Sequence, residues 1–345
     1  MKQVSVCNFC GSDKTEIVYT LKERILKKEY FQMVKCKQCE LIFTNPQPTK
    51  DEMKNYYPEN YYSFSPFIPN PFLPYSKNIF KKITTFIKKS VLVENYNYSF
   101  QDYPSSLFIR PLQKLLGRIF KYQIGWIFPP FILGGVALDV GCGSGIYLTK
   151  LHELGWKTYG IDPHAGSIVE WAKEKLDLTI FAGELTEAHF PNNYFNIVTF
   201  FHTFEHLHEP LKILSEVYRI LKPGGILIIN VPNVGSLERS IFKNHWIGWD
   251  PPRHLFHFFP DTIKKILIKT KFSITKIGYP SDPRSVISSI PFLYDTISNE
   301  KYAWKWVRNC LDADKNTLLR IFLIPIAFFL SLTRQTGELV IFAKK

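Results

Sequence analysis

Between residues 136 and 280, apolar runs of strand length alternate with helical periodicities, and few architectures accept that order. Val136–Val140 reads as a buried strand, followed by a glycine-rich turn and a helix to about residue 154. Lys157–Ile161, 178–182, Phe195–Phe201, 226–231 and 274–277 read as further strands, and 338–343 as the last. Helices are expected at 166–175, at 210–221 with a stop at Pro223-Gly224-Gly225, and from a cap at Asp261 through Lys271. This alternation predicts an α/β fold, a mainly parallel sheet with helices on both faces.

The first turn carries the most chemistry. It reads Leu138-Asp139-Val140-Gly141-Cys142-Gly143-Ser144-Gly145. Glycines let a backbone approach a ligand closely, and the helix start that follows exposes its amides. Asp162 ends the second strand, where a carboxylate can take both ribose hydroxyls. Glu184 ends the third, where it can meet an adenine amino group. A dinucleotide enzyme would share the ribose acid. Against that reading, the third glycine comes one position early for G-x-G-x-x-G, and Asp139 sits inside the strand.

Four segments in order, LDVGCGSG, YGID at 159–162, FNIVTFFHTFEHL at 195–207 and LKPGGILIINVPN at 221–233, resemble the successive motifs of class I S-adenosylmethionine-dependent methyltransferases. The resemblance implies a Rossmann-like seven-stranded sheet and S-adenosylmethionine as methyl donor. It implies that Asp139, Gly141, Gly143 and Gly145 hold the methionine end, that Asp162 binds the ribose, that Glu184 reaches the base and that His202 lines the methyl side. Many relatives have Asp where this chain has Glu184. An N-terminal C-x2-C pair, an NPQPT turn and a YY-rich segment, with Trp249-Asp250-Pro251-Pro252-Arg253-His254-Leu255-Phe256-His257-Phe258, look like bacterial methyltransferases encoded with cell-surface polysaccharide genes.

Methyl transfer needs proximity, in-line geometry and sometimes a base. His206 is the first candidate base, with Glu205 as its orienting neighbour, and His254 is the second. The alternative is that Glu205-His206 caps a helix or braces a loop. His202-x3-His206 has a spacing that could hold a metal, but two unrelated roles are the preferred reading. His257 lies in the same post-strand segment as His254, and His189 and His208 read as surface residues.

Cys7, Cys10, Cys36 and Cys39 form two C-x2-C knuckles 25 residues apart. Two knuckles complete a tetrahedral four-thiolate Zn²⁺ shell, with the strand-like 14–34 as a ribbon hairpin. Such a closed shell is structural. A thioredoxin-like redox site would carry a single C-x2-C in a βαβ unit. Glu40, where a second glycine would be usual, departs from the pattern. Cys142 reads as a buried small residue and Cys310 as a lone thiol.

The expected organisation is a zinc-ribbon module with a Tyr-rich turn (Tyr56, Tyr57, Tyr61, Tyr62) over 1–60, a basic amphipathic helical linker over 61–135, and the catalytic domain over 136–345. A helical insertion at 280–337 precedes the last strand. The net charge is +13, and +7 of it falls within 61–135. There Lys77, Lys81, Lys82, Lys88 and Lys89 flank one helical stripe, and Arg110, Lys114, Arg118 and Lys121 another. That basic excess favours an anionic partner. Peripheral membrane contact through 76–121 and 318–332 is expected of a cytoplasmic protein lying at the inner face of a membrane. Residues 318–332 could equally be a core helix. The aromatic, basic 302–308 (YAWKWVR) fits an interface belt or ordinary packing. No signal-peptide h-region is visible, and the apolar 321–333 is shorter than the roughly 20 residues that span a bilayer.

Three functions compete. The first is O-methylation of a sugar, nucleotide-sugar or lipid-linked glycan. The second is RNA base methylation with the ribbon as RNA-binding module; FFHTFEH in place of an N-P-P-Y-type motif makes nucleic acid the disfavoured partner. The third is a non-catalytic scaffold, against which the intact cofactor motifs argue.

Overall fold

The computed structural model describes residues 1–24, 29–57, 71–75, 77–104, 106–121, 127–164, 166–280, 287, 289–290 and 317–345. Tyr61, Tyr62, Cys310 and the 302–308 segment lie outside them. The strands are β1 (Thr15–Lys22), β2 (Tyr30–Cys36), β3 (Ile42–Asn45), β4 (Val136–Val140), β5 (Lys157–Ile161), β6 (Thr179–Phe181), β7 (Phe195–Phe201), β8 (Leu221–Pro232), β9 (Phe256–His257), β10 (Ser273–Gly278) and β11 (Glu338–Lys344). The helices are α1 (Lys50–Met53), α2 (Ile79–Tyr96), α3 (Arg110–Ile119), α4 (Ile146–Glu153), α5 (Gly166–Leu176), α6 (Pro210–Ile220), α7 (Leu237–Phe242), α8 (Pro260–Lys269) and α9 (Thr317–Leu332).

The expected seven-stranded sheet is present, in the order β10-β11-β8-β7-β4-β5-β6. Strands β4, β5, β6 and β7 pair in parallel, whereas β10 and β11 are antiparallel. Its middle strands are apolar runs buried along nearly their whole length, as a sheet covered on both faces requires. A second sheet has four strands, β1-β2-β3-β9. Its first three are the hairpin strands of the cysteine module. The fourth is two residues from the WDPPRHLFHF segment, with Ile42 opposite His257 and Phe43 opposite Phe256. The expected loop residue His257 is therefore a buried strand residue, its Nε2 3.4 Å from Thr44 Oγ1.

By contacts the chain forms two compact units that do not follow chain order. One holds residues 1–59, 201–218 and 229–344; the other holds 60–200, 219–228 and Lys345. In the first, Leu21, Phe31, Met33, Ile42, Trp246 and Trp249 form one buried cluster. In the second, Cys142 is buried against Leu148 and Leu178, as a small apolar residue should be.

Three boundaries differ from expectation. α8 begins at Pro260 behind Phe259, so Asp261 lies within the first turn and pairs with Lys264 at 2.8 Å instead of capping. Proline at a first helical position needs no amide partner, which shifts the start by one residue. β8 begins at Leu221 directly after α6 and takes in the Pro-Gly-Gly run, where Gly224 adopts φ 74°. β6 is only three residues long.

In the second unit, α2 and α3 pack closely. Asn95 Nδ2 donates to the Gly117 carbonyl at 2.9 Å, and a Cβ on Gly117 would lie 2.9 Å from Glu94 Cβ. Their outer faces combine exposed Ile79, Phe80, Ile83, Leu112 and Leu115 with exposed Lys81, Lys82, Arg110, Lys114 and Arg118. Lys88 and Lys89 are spent differently: Lys88 donates to the Phe72 carbonyl and Lys89 pairs with Asp102. In the first unit, α9 buries Ala327 and Leu330 but exposes Phe322, Ile326, Phe329 and Leu332 along one stripe. It is thus neither wholly core nor wholly surface. Among the described residues no helix is long and apolar enough to cross a membrane.

Candidate active site

The cofactor-type residues lie in the second unit. After β4 the chain turns through Gly141, Gly143 and Gly145, all at positive φ (75°, 52° and 84°). Side chains are disfavoured in that conformation. At Gly145 a Cβ would also come within 2.6 Å of Leu178 Cδ1. Asp162 follows β5 and clasps this turn: its Oδ2 accepts the Gly143 N–H at 2.9 Å and its Oδ1 the His164 N–H at 2.8 Å. A carboxylate offers about four acceptor positions, so clasping the loop is compatible with meeting a ribose.

Asp139 is buried within β4, where its Oδ1 accepts the Thr199 hydroxyl at 2.7 Å. Burial pushes its carboxyl up to about 7 against that hydrogen bond, and the nearby Asp162 adds to the rise. Glu184 stands three residues past the short β6, in a turn where its N–H donates to Glu187 Oε2 at 2.8 Å. The residues present fit an adenosyl and amino-acid ligand: a bare glycine turn flanked by two buried carboxylates.

The histidine candidates gather in the first unit. His202 follows β7 with φ 50°, a left-handed backbone uncommon outside glycine. Its Nδ1 is 3.5 Å from Glu205 Oε1, and its Nε2 is 3.2 Å from Asn230 Nδ2 and 3.5 Å from Glu338 Oε2. Desolvation opposes its charge, but the Glu338 and Glu205 carboxylates prevail and raise it well above the usual histidine range. Glu205, on a short turn of helix over 204–206, is 0% exposed, and among the described residues neither carboxylate oxygen has a hydrogen-bond partner. The imidazole Nε2 of His254 lies 3.9 Å from Glu205 Oε1.

His206 and His254 stand edge to face with ring centroids 4.7 Å apart. His206 Nδ1 is 2.9 Å from the Arg253 carbonyl and 3.1 Å from Tyr57 Oη; His254 Nδ1 is 2.9 Å from the Gly248 carbonyl. Burial, then the neighbouring His254, hold His206 down at about 4, so it is neutral near pH 7. His208 is not simply a surface residue, since its Nε2 is 2.8 Å from the Pro48 carbonyl.

The cysteines meet in the same unit. Sγ atoms of Cys7 and Cys39 lie 3.5 Å apart, as do those of Cys10 and Cys36, and one sulfur from each of the four falls within 4.8 Å of the others. Backbone amides of Gln38 and Cys39 point at the Cys36 thiol and, against desolvation, hold it at about 7. Burial raises Cys7 and Cys39. Glu40, at φ 67°, takes the left-handed turn position without a glycine.

Arg253 was missed. It is fully buried between Glu23 (2.9 Å), Asp250 (2.5 Å) and the Tyr56 carbonyl (3.1 Å), and its own carbonyl orients His206. Tyr57 was missed as a partner of His206, and Asn230 and Glu338 as partners of His202. The WDPPRH motif and the Tyr-rich stretch were the available signals; nothing local marks Asn230 or Glu338.

Residues 109–277 match the family model of a methyltransferase domain. A protein of Mycolicibacterium smegmatis named "Probable S-adenosylmethionine-dependent methyltransferase" is 27% identical over 124 residues, covering 36% of this chain and 45% of that one. A ubiquinone biosynthesis O-methyltransferase of Bradyrhizobium sp. is 28% identical over 148 residues, covering 40% and 58%. The crystal structure of a SAM dependent methyltransferase from Archaeoglobus fulgidus is similar at a TM-score of 0.41 and 22% identity, covering 74% of this chain and 98% of that one. The chain spans about half the length of the curated relatives it matches. Residues 109–277, which carry the glycine turn and the clasping aspartate, are thus the part of the chain that is similar to a methyltransferase domain.

Proposed function

We propose that the protein is an S-adenosylmethionine-dependent methyltransferase acting on a hydroxyl of a sugar, nucleotide-sugar or lipid-linked glycan. The observation that carries the cofactor reading is the clasp of Asp162 on Gly143, which fixes three left-handed glycines beside buried Asp139. When bound, S-adenosylmethionine supplies a methyl group already activated on a sulfonium. Gly141, Gly143 and Gly145 leave room for its methionine end. Asp162 binds the ribose hydroxyls, Glu184 the base, and Asp139 answers the cationic end with a carboxylate that a nearby cation favours ionised. Glu205, His206 and His254, with His202 beside them, receive the acceptor oxygen and stabilise the loss of its proton.

The glycan acceptor rests on the resemblance of the cysteine module and the WDPPRHLFHF segment to polysaccharide-gene enzymes. The same reading gives the four cysteines a structural Zn²⁺; four converging sulfurs, two of them knuckle-oriented, suit no other common divalent ion as well. It also sets the basic, apolar outer face of α2 and α3 against anionic lipid.

Calorimetry with S-adenosylhomocysteine tests the first step, and absence of binding defeats the enzyme reading. Transfer of labelled methyl from S-adenosylmethionine into fractionated cell extract tests the second. Label in lipid or soluble sugar supports the glycan acceptor; label in RNA overturns it.

A further inference from the structure

We propose that Glu205, His206 and His254 form a second metal site, for a divalent first-row transition ion such as Zn²⁺, separate from the four cysteines. One ligand atom from each of the three lies within 4.8 Å of the others, the only such group besides the cysteines among the described residues. The hydrogen bonds around them settle which atoms are available. A carbonyl oxygen can only accept. The 2.9 Å contacts from His206 Nδ1 to the Arg253 carbonyl and from His254 Nδ1 to the Gly248 carbonyl therefore require a proton on each Nδ1. Neutral rings then carry their lone pairs on Nε2.

Backbone carbonyls bound to the far nitrogen are the usual outer support of a metal-ligating histidine, because they fix both tautomer and ring orientation. The third group is a carboxylate with 0% exposure and, among the described residues, no hydrogen-bond donor on either oxygen. A buried carboxylate without a close hydrogen-bond donor is strongly disfavoured unless a cation meets it. His202 answers it in part, but at 3.5 Å and while shared with Glu338. One ring nitrogen from each of two imidazoles and a buried carboxylate, all within 4.8 Å of one another, describe a hole for a cation.

Two imidazoles and one carboxylate are a ligand set of open sites, which leave coordination positions for a further oxygen ligand. The closed thiolate shell leaves none. If the methyltransferase reading holds, on which this use of the site rests, that further ligand is the acceptor hydroxyl. The ion then lowers its pKa as it lowers that of bound water.

The test is a Co²⁺ titration of the full-length, metal-stripped protein, followed by visible and near-ultraviolet absorption. The wild type should bind two equivalents, one with intense thiolate-to-cobalt absorption and one without. Glu205→Gln and His254→Ala should each retain the thiolate equivalent, which reports a folded cysteine module, and weaken the other by on the order of 100-fold or more. A wild type that binds only the thiolate equivalent, or variants that keep both, would overturn the proposal. S-adenosylhomocysteine binding, measured in parallel, separates the outcomes. Its loss with both cobalt equivalents intact defeats the methyltransferase reading and leaves the metal site standing. Its retention with the thiolate-free equivalent missing does the opposite.

Discussion

Replacing Arg253 by methionine keeps the apolar stem and removes the guanidinium. Arg253 and Glu23 are each 1% exposed and 2.9 Å apart, and Asp250 takes two further hydrogen bonds at 2.8 and 2.5 Å. Without the guanidinium, a carboxylate on the β1–β2 connection and another on the 249–258 segment lose their directly hydrogen-bonded cation, and only the charge of neighbouring Arg24 still acts on both. Removing one partner of a buried pair costs ~3–5 kcal/mol. That exceeds the ~1–3 kcal/mol expected from the lost hydrogen bonds of a single buried group. Equilibrium urea unfolding, followed by tryptophan fluorescence, should show a lower midpoint with an unchanged slope. Glu23→Gln in the same background should recover part of the loss, so that the double variant is more stable than additivity predicts by ~1 kcal/mol or more. An Arg253→Met loss below ~1 kcal/mol, or strict additivity, would refute the assignment of this triad as a tie between the cysteine module and the 249–258 segment.

Other expectations follow from the same geometry. Asp139 is protonated in the fold up to about pH 7, whereas in the unfolded chain it ionises near 4; the native state therefore binds the extra proton between those values. Stability falls as pH rises from about 4 to 7 and stays lowered above, by on the order of 4 kcal/mol for a shift of that size. Asp139→Asn should thus stabilise the cofactor-free protein at pH 8 while weakening S-adenosylhomocysteine binding at least tenfold; a variant that melts lower at pH 8 would contradict this. Chelation of Zn²⁺, or Cys36→Ser, should remove about 5 kcal/mol or more, read as a fall of roughly 10–20 °C in melting temperature, and an unchanged Tm would argue against a structural ion. Flotation with anionic vesicles should diminish when Lys81, Lys82, Lys114 and Arg118 are all neutralised, at about 1 kcal/mol per charge. Neutralising Lys88 and Lys89 should matter less, since both are already engaged within the protein.

The seven-stranded sheet was legible because its middle strands are apolar runs punctuated by glycine, and because the glycine turn and Asp162 sit at the strand ends that this pattern fixes, with Asp139 inside the strand before the turn. The cysteine knuckles were legible from spacing alone. What escaped was non-local. Nothing in two residues, Phe256-His257, announces a strand that pairs with residues 42 and 43. The tie from Arg253 to Glu23 joins positions 230 residues apart. The convergence of His206 with His254 needs a bend in the 249–258 segment that composition does not encode. The proposed cap at Asp261 failed for a local reason, since Pro260 accepts the first helical position and displaces the start.

The borrowed fourth strand also sets a timetable. Ile42 cannot meet His257 until some 215 residues more have been made, which at about 5–20 residues per second takes roughly 10–40 s on the ribosome. For that interval β3, with Ile42 and Phe43, presents an open apolar edge of the kind that recruits other chains. A nascent chain of this protein therefore depends, early in its life, on whatever shields that edge until its own distant segment arrives to close it.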